Sequence, residues 1–183
     1  MPQAHRSDGP RLGSVGPQRL DFAEFYRRSA DDCLRAVLVS VGDKDRAKDL
    51  VDEAFARAFA SWRAVGGHPA PAAWVVRTAL NANISWWRRR RHEVSVPDPG
   101  VIADPAMAAR TDSAVDSSIM TALMRLPPRQ RQVVALRLFL DLDTAGTAAV
   151  LGVSPSTVKA HLARAIASLR EDLAPQPQQE APS

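Results

Sequence analysis

A single cysteine, Cys33, stands among the 183 residues of this chain. One thiol cannot form an internal disulfide, and it cannot build a Cys-based zinc site. Cys33 falls within a helical pattern beside Leu34, Val37 and Leu38. It reads as a small buried or half-buried residue rather than a redox sensor, since it has no resolving partner. Aromatic residues are also scarce, at 5%, and four of them are Trp, two adjacent at Trp86-Trp87. No apolar run reaches the ~18 residues of a membrane span, so no membrane insertion is expected. The opening MPQAHRSDGPRLGSVGPQR lacks the apolar centre of a secretory signal, which points to a cytoplasmic, reducing location. Catalytic signatures are missing as well: there is no Gly-rich phosphate loop, no HExxH, no GxSxG and no convincing Cys–His pair. The four His residues show no metal-ligand spacing. The expectation is therefore a protein that is not an enzyme and carries no metal and no cofactor.

Charge is present, but unevenly distributed. The net charge is only +4, yet a modest total can hide a concentrated patch, so position matters more than sum. Breaker-rich, polar stretches divide the chain into a tail at 1–19, a first block at 20–92, a linker at 93–111, a second block at 112–173 and a tail at 174–183. No strand-type alternation persists, and helical periodicity runs through both blocks. The fold class expected is all-α, as two small helical domains joined by a flexible linker.

The first block holds three helical segments. Asp21 to about Val41 ends at Gly42, and Asp43 caps a second helix over 44–64. That helix places Ala47, Leu50, Val51, Ala54, Phe55, Ala58, Phe59 and Trp62 on one stripe, with Asp49, Asp52 and Glu53 on the charged side. A third helix, from about Ala72 to His92, runs AAWVVRTALNANISWWRRRRHE. Trp86 and Trp87 lie about 100° apart around it, so they cannot share one core at the same depth. Arg88, Arg89, Arg90 and Arg91 span a full turn, more positive charge than the helix dipole needs. Arginines beside exposed aromatics suit nucleic acid, because guanidinium groups bind phosphate and ring faces stack on unpaired bases. Asn81 and Asn83, with both donor and acceptor groups, could read a base edge.

The second block opens with helices around 112–125 and 128–140, then DLDTAGTAAVLGVSPSTVKAHLARAIASLREDL. Two helical patterns flank a tight turn at Gly152-Val153-Ser154, the form of a helix-turn-helix. Ser154 should cap the second helix and Pro155 should occupy its first turn. Val158, Leu162, Ala165, Ile166 and Leu169 form the expected buried stripe. Ser156, Thr157, Lys159, His161 and Arg164 occupy the face that enters a major groove in this motif.

Taken together, DFAEFYRRSADDCLRAVLVSVGDKDRAKDLVDEAFARAFASW, PAAWVVRTALNANISWWRRRR and ALMRLPPRQRQVVALRLFLDLDTAGTAAVLGVSPSTVKAHLARAIASLREDL resemble regions 2 and 4 of an extracytoplasmic-function (group 4, sigma-70 family) sigma factor. The resemblance implies an alternative sigma factor that binds core RNA polymerase and directs transcription initiation at −10 and −35 promoter elements. It implies that Asp49, Asp52 and Glu53 face the coiled coil of the largest polymerase subunit, and that the second block meets the flap of the second-largest. Asn81, Trp86, Trp87 and Arg88 to Arg91 would handle the melted −10 strand. Ser156, Thr157, Lys159, His161 and Arg164 would lie in the −35 groove. An anti-sigma factor that clamps both blocks is a further implied partner.

The chain departs from the family pattern at four places. Asp52-Glu53 replaces Gln-Glu, Ser85 replaces Asp, and Ser156 replaces Gly. Ala145-Gly146-Thr147-Ala148 replaces a Glu-Ile-Ala core, which predicts a weak first helix in the helix-turn-helix, since glycine costs about 1 kcal/mol there relative to alanine. The alternative reading is a LuxR-type regulator, which SPSTVKAHLARA also resembles. That reading requires a strand-and-helix receiver ahead of the motif, whereas the first block is helical and Arg-ended.

Overall fold

The computed structural model describes residues 21–93 and 114–174, and its regular elements there are all α-helices. The tails and linker read at 1–19, 93–111 and 174–183 lie, except at their edges, outside the described residues. The helices are α1 Phe22–Val41, α2 Lys44–Ala60, α3 Trp62–Val65, α4 Pro71–Glu93, α5 Ala114–Arg125, α6 Pro128–Phe139, α7 Thr144–Leu151 and α8 Pro155–Asp172. None of the described helices is long and apolar enough to cross a membrane.

Local chemistry sets the boundaries. α1 stops at Gly42, whose φ of 80° lies in the left-handed region and whose N–H donates to the Leu38 carbonyl. The Asp43 side chain then accepts the Arg46 N–H at 2.8 Å and starts α2. The single helix expected over 44–64 is broken at Ser61, which has φ −115° and ψ 23°. The break turns Trp62 onto Phe25, with ring centroids 5.0 Å apart, and onto Phe22 at 5.3 Å. It also corrects the expected stripe: Phe59 rests edge-on against Phe22 but is 66% exposed.

α1 is the hub, packing against α2, α4 and α6. The main core gathers Phe25, Cys33, Ala36 and Val37 of α1, Leu50, Val51, Ala54 and Phe55 of α2, and Val75, Val76, Ala79 and Leu80 of α4. Leu136 of α6 and Val150 of α7 join this same cluster. In exchange, Val39 of α1 is fully buried among Leu123, Met124, Leu126, Ala135 and Ala165. The two sequence blocks thus trade core residues across the α1–α6 contact. A third small cluster, Val133, Ala148 and Val158, ties the helix-turn-helix to α6.

The weak helix expected around Gly146 is compensated locally. Gly146 donates its N–H to Asp143 Oδ1 at 2.6 Å. A Cβ at this position would stand 3.2 Å from that same oxygen, so glycine permits the close cap. Thr147 is fully buried, and its hydroxyl donates to the Asp143 carbonyl at 2.8 Å, so no polar group is left unsatisfied there. Gly152, at φ 66°, then makes the turn that ends α7, and its N–H donates to the Ala148 carbonyl.

Candidate nucleic-acid interface

α4 has two unlike faces because its apolar residues recur at helical spacing only in its first half. Ala73, Val75, Val76, Ala79 and Leu80 are buried. Beyond them the helix presents Asn81, Ser85, Arg88 and Arg89 as exposed residues, with Asn83, Trp86 and Trp87 half-buried. The side chains of Arg90 and Arg91 fall outside what the structure describes. Trp86 and Trp87 meet edge to face, with centroids 4.9 Å apart and an interplanar angle of 83°. They neither share one core nor project freely.

A residue that the sequence did not single out explains this. Arg46 of α2 places its guanidinium carbon 4.0 Å from the Trp86 ring centroid. Its Nε–H donates to Asn83 Oδ1 at 3.3 Å. Burial lowers the Arg46 pKa, Asp49, Asp43 and Glu53 oppose that fall, and Arg89 adds to it. Asn83 is therefore tied to α2, while Asn81 remains open to solvent. The only sequence signal for Arg46 was its place on a charged helix face, which many solvated arginines share.

Asp49, Asp52 and Glu53 are exposed on α2, and Glu53 pairs with Arg57 one turn later at 2.5 Å. Exposed ion pairs of this kind hold about 0.3–0.5 kcal/mol, too little to fix the face against a partner.

In α8 the expected cap is in place: Ser154 Oγ accepts the Thr157 N–H at 3.1 Å. The same hydroxyl lies 2.8 Å from both Ser156 Oγ and Thr157 Oγ1. These hydroxyls are engaged in the helix start. Lys159 and Arg164 are exposed, and Thr157 and His161 are half-buried. His161 Nδ1 is enclosed and has no hydrogen-bond partner among the described residues. Val158 and Ala165 are fully buried as expected, but Ile166 is 39% exposed and leaves the stripe. The five −35 candidates therefore separate into two exposed cations, two hydroxyls held at the cap and one recessed imidazole.

A second residue missed by the sequence reading supports this region from below. Arg131 of α6 is only 4% exposed and donates from Nη1 to the Met124 carbonyl at 3.0 Å. It caps the end of α5, and burial lowers its pKa. Cys33 is fully buried, its thiol directed at the Ala72 carbonyl, and burial pushes its pKa up to about 12. A neutral, enclosed thiol is chemically inert.

Comparison with known proteins gives the setting for these surfaces. The family described as Sigma-70 region 2 matches residues 25–93, and that described as Sigma-70, region 4 matches residues 116–169. The RNA polymerase sigma-E factor of Streptomyces coelicolor is 37% identical over 154 residues, 84% of this chain and 86% of that protein. The ECF RNA polymerase sigma factor SigM of Mycobacterium tuberculosis is 29% identical over 165 residues, covering 90% of this chain and 83% of that one. Among solved structures, the sigma factor RpoE of Bartonella quintana, in complex with the anti-sigma factor NepR, superposes with a TM-score of 0.64. It is 25% identical, over 84% of this chain and 99% of that one.

Proposed function

This chain belongs to the sigma-70 family of RNA polymerase sigma factors, in its extracytoplasmic-function group, and we propose that its two exposed basic surfaces divide promoter recognition between them. It is an alternative sigma factor that binds core RNA polymerase and directs transcription initiation. The LuxR-type reading is not favoured, because the first block matches sigma region 2 and not a receiver.

Asn81, Trp86, Trp87 and Arg88 to Arg91 on α4 engage the melted −10 strand. Lys159 and Arg164, with Ser156, Thr157 and His161 behind them, engage the −35 duplex. Asp49, Asp52 and Glu53 face the polymerase. The observation that carries this division is the contrast between the surfaces. α4 combines indole rings with arginines, which suits unpaired bases, whereas α8 offers cations on a capped recognition helix, which suits a groove. The protein works in the cytoplasm, performs no bond chemistry of its own, and is held in check by an anti-sigma factor, as the Bartonella RpoE is bound by NepR.

Reconstituted transcription with core polymerase tests the division. Replacing Lys159 and Arg164 by Ala is expected to cut initiation at a −35-dependent promoter at least about tenfold, the scale of one lost base contact. Assembly with core should be unchanged. If initiation survives intact, α8 does not read the −35 element.

A further inference from the structure

We infer that Arg46 of α2 is a positioning residue for the strand-binding face of α4, setting Trp86 and Asn83 in place while leaving the phosphates to the arginines at the helix end. The inference rests on the proposed −10 role of α4 and goes beyond it, because Arg46 lies outside that helix. Asn83 and Trp86 are three residues apart and so share one face of α4. Arg46 engages both at once, through its Nε–H to Asn83 Oδ1 at 3.3 Å and its guanidinium carbon over the indole at 4.0 Å from the ring centroid. Trp86 in turn sets Trp87 edge-on at 4.9 Å. One guanidinium thereby contacts the first of two mutually packed rings on which bases could stack.

Arg46 is poorly placed to act as a phosphate ligand itself. It is half-buried, its guanidinium carbon lies over an indole, and its Nε–H is already donated to Asn83. The acids Asp43, Asp49 and Glu53 stabilise its charge from the α2 side, so it does not depend on DNA for a counter-ion. Two of those acids, Asp49 and Glu53, belong to the surface assigned to the polymerase. Arg46 therefore stands where a polymerase contact could be felt at the strand-binding face.

The test uses holoenzyme assembled from core polymerase and the full chain. It measures binding of a labelled single-stranded oligonucleotide carrying the −10 region of a promoter that the holoenzyme transcribes. Arg46→Ala should lower strand affinity by about tenfold, the upper range for a partly desolvated cation–π contact together with a hydrogen bond. Arg46→Lys, which keeps the charge but loses the planar fork, should recover part of it. Assembly with core should not change. The slope of affinity against salt should also stay at the wild-type value in Arg46→Ala, whereas Arg88→Ala with Arg89→Ala should lower both affinity and slope. Adding Asn83→Ala to Arg46→Ala should cost nothing more, since both act through one contact. If the Arg88 and Arg89 variant weakens strand binding while Arg46→Ala and Arg46→Lys bind as wild type, the Arg46 inference is overturned and the strand reading stands. If none of these variants weakens strand binding, the strand reading itself fails and the inference falls with it. A reduced salt slope in Arg46→Ala would make Arg46 a phosphate ligand and overturn its positioning role. Loss of assembly with unchanged strand affinity per complex would make it a structural residue, with the same consequence.

Discussion

Val39 gives the sharpest test of how the two DNA-binding blocks are held together. It belongs to α1, yet it is fully buried in a cluster whose other members, Leu123, Met124, Leu126, Ala135 and Ala165, all come from the second block. Replacing it with Ala removes two methyl groups, worth about 1.6 kcal/mol at ~0.8 kcal/mol each. Replacing it with Asp places an unpaired carboxylate in an apolar cluster, at a cost of several kcal/mol. A cost of about 4 kcal/mol shifts the docked-to-undocked ratio roughly a thousandfold. Once undocked, Asp at position 39 meets water, and the core built on Phe25, Cys33 and Val37 keeps its own residues apart from Leu136 and Val150.

The functional stake is geometric. The −10 and −35 elements lie about 25 base pairs apart, roughly 85 Å of duplex at ~3.4 Å per pair. A docked body of about 130 residues has a radius of gyration near ~14 Å and cannot reach both. If α4 and α8 engage these elements as proposed, the two blocks must undock at a promoter, and Val39→Asp should favour that state. Small-angle scattering should show the radius of gyration rising by roughly 5 Å or more relative to wild type, on the scale of separating two small domains. Helical circular dichroism should be retained. An unchanged radius of gyration in a folded Val39→Asp protein would refute this account of Val39.

Two further outcomes are expected. Cys33 should react with a thiol reagent in the native protein far more slowly than after unfolding, because burial holds its pKa at about 12 against an ordinary value of 9.0. Since the folded value is raised, the stabilisation from this neutral thiol is fully present below pH 9.0 and is lost as pH rises through about 12, so native labelling that matches the unfolded rate at pH 8 would contradict its burial. Gly146→Ala should fail to raise Tm, because the ~1 kcal/mol gained in helix propensity is offset by loosening a cap worth about 0.5–2 kcal/mol. A clear rise in Tm would mean that Asp143 Oδ1 yields to the new methyl at no cost.

Features that depend on neighbours along the chain were legible before any coordinates. Gly42 and Gly152 in left-handed turns, Asp43 and Ser154 as caps, and the burial of Cys33, Val158 and Ala165 all follow from spacing and residue type. Misreadings arose where long-range packing outweighed periodicity. Phe59 and Ile166 carry the right spacing for a core stripe, but Phe59 meets Phe22 only along an edge, and both are exposed. Ser61 breaks a pattern that reads as continuous, and beyond the break Trp62 packs onto Phe22 and Phe25, partners from another helix that no spacing within this segment names. Thr147 lies in the segment read as a weak helix, and only the structure shows it buried with its hydroxyl donating to the Asp143 carbonyl.

By itself the sequence determined the helices, their caps and the two basic segments, since those depend on propensity, periodicity and local charge within a few residues. Only the tertiary structure decided that α1 carries a residue of each block's core, that Arg131 is buried and that Arg46 reaches across to Trp86 and Asn83. The physical reason is separation along the chain. Arg46 and Trp86 stand forty positions apart in the chain, a separation across which no local periodicity carries information, and only the packing of α2 against α4 brings them within 4.0 Å.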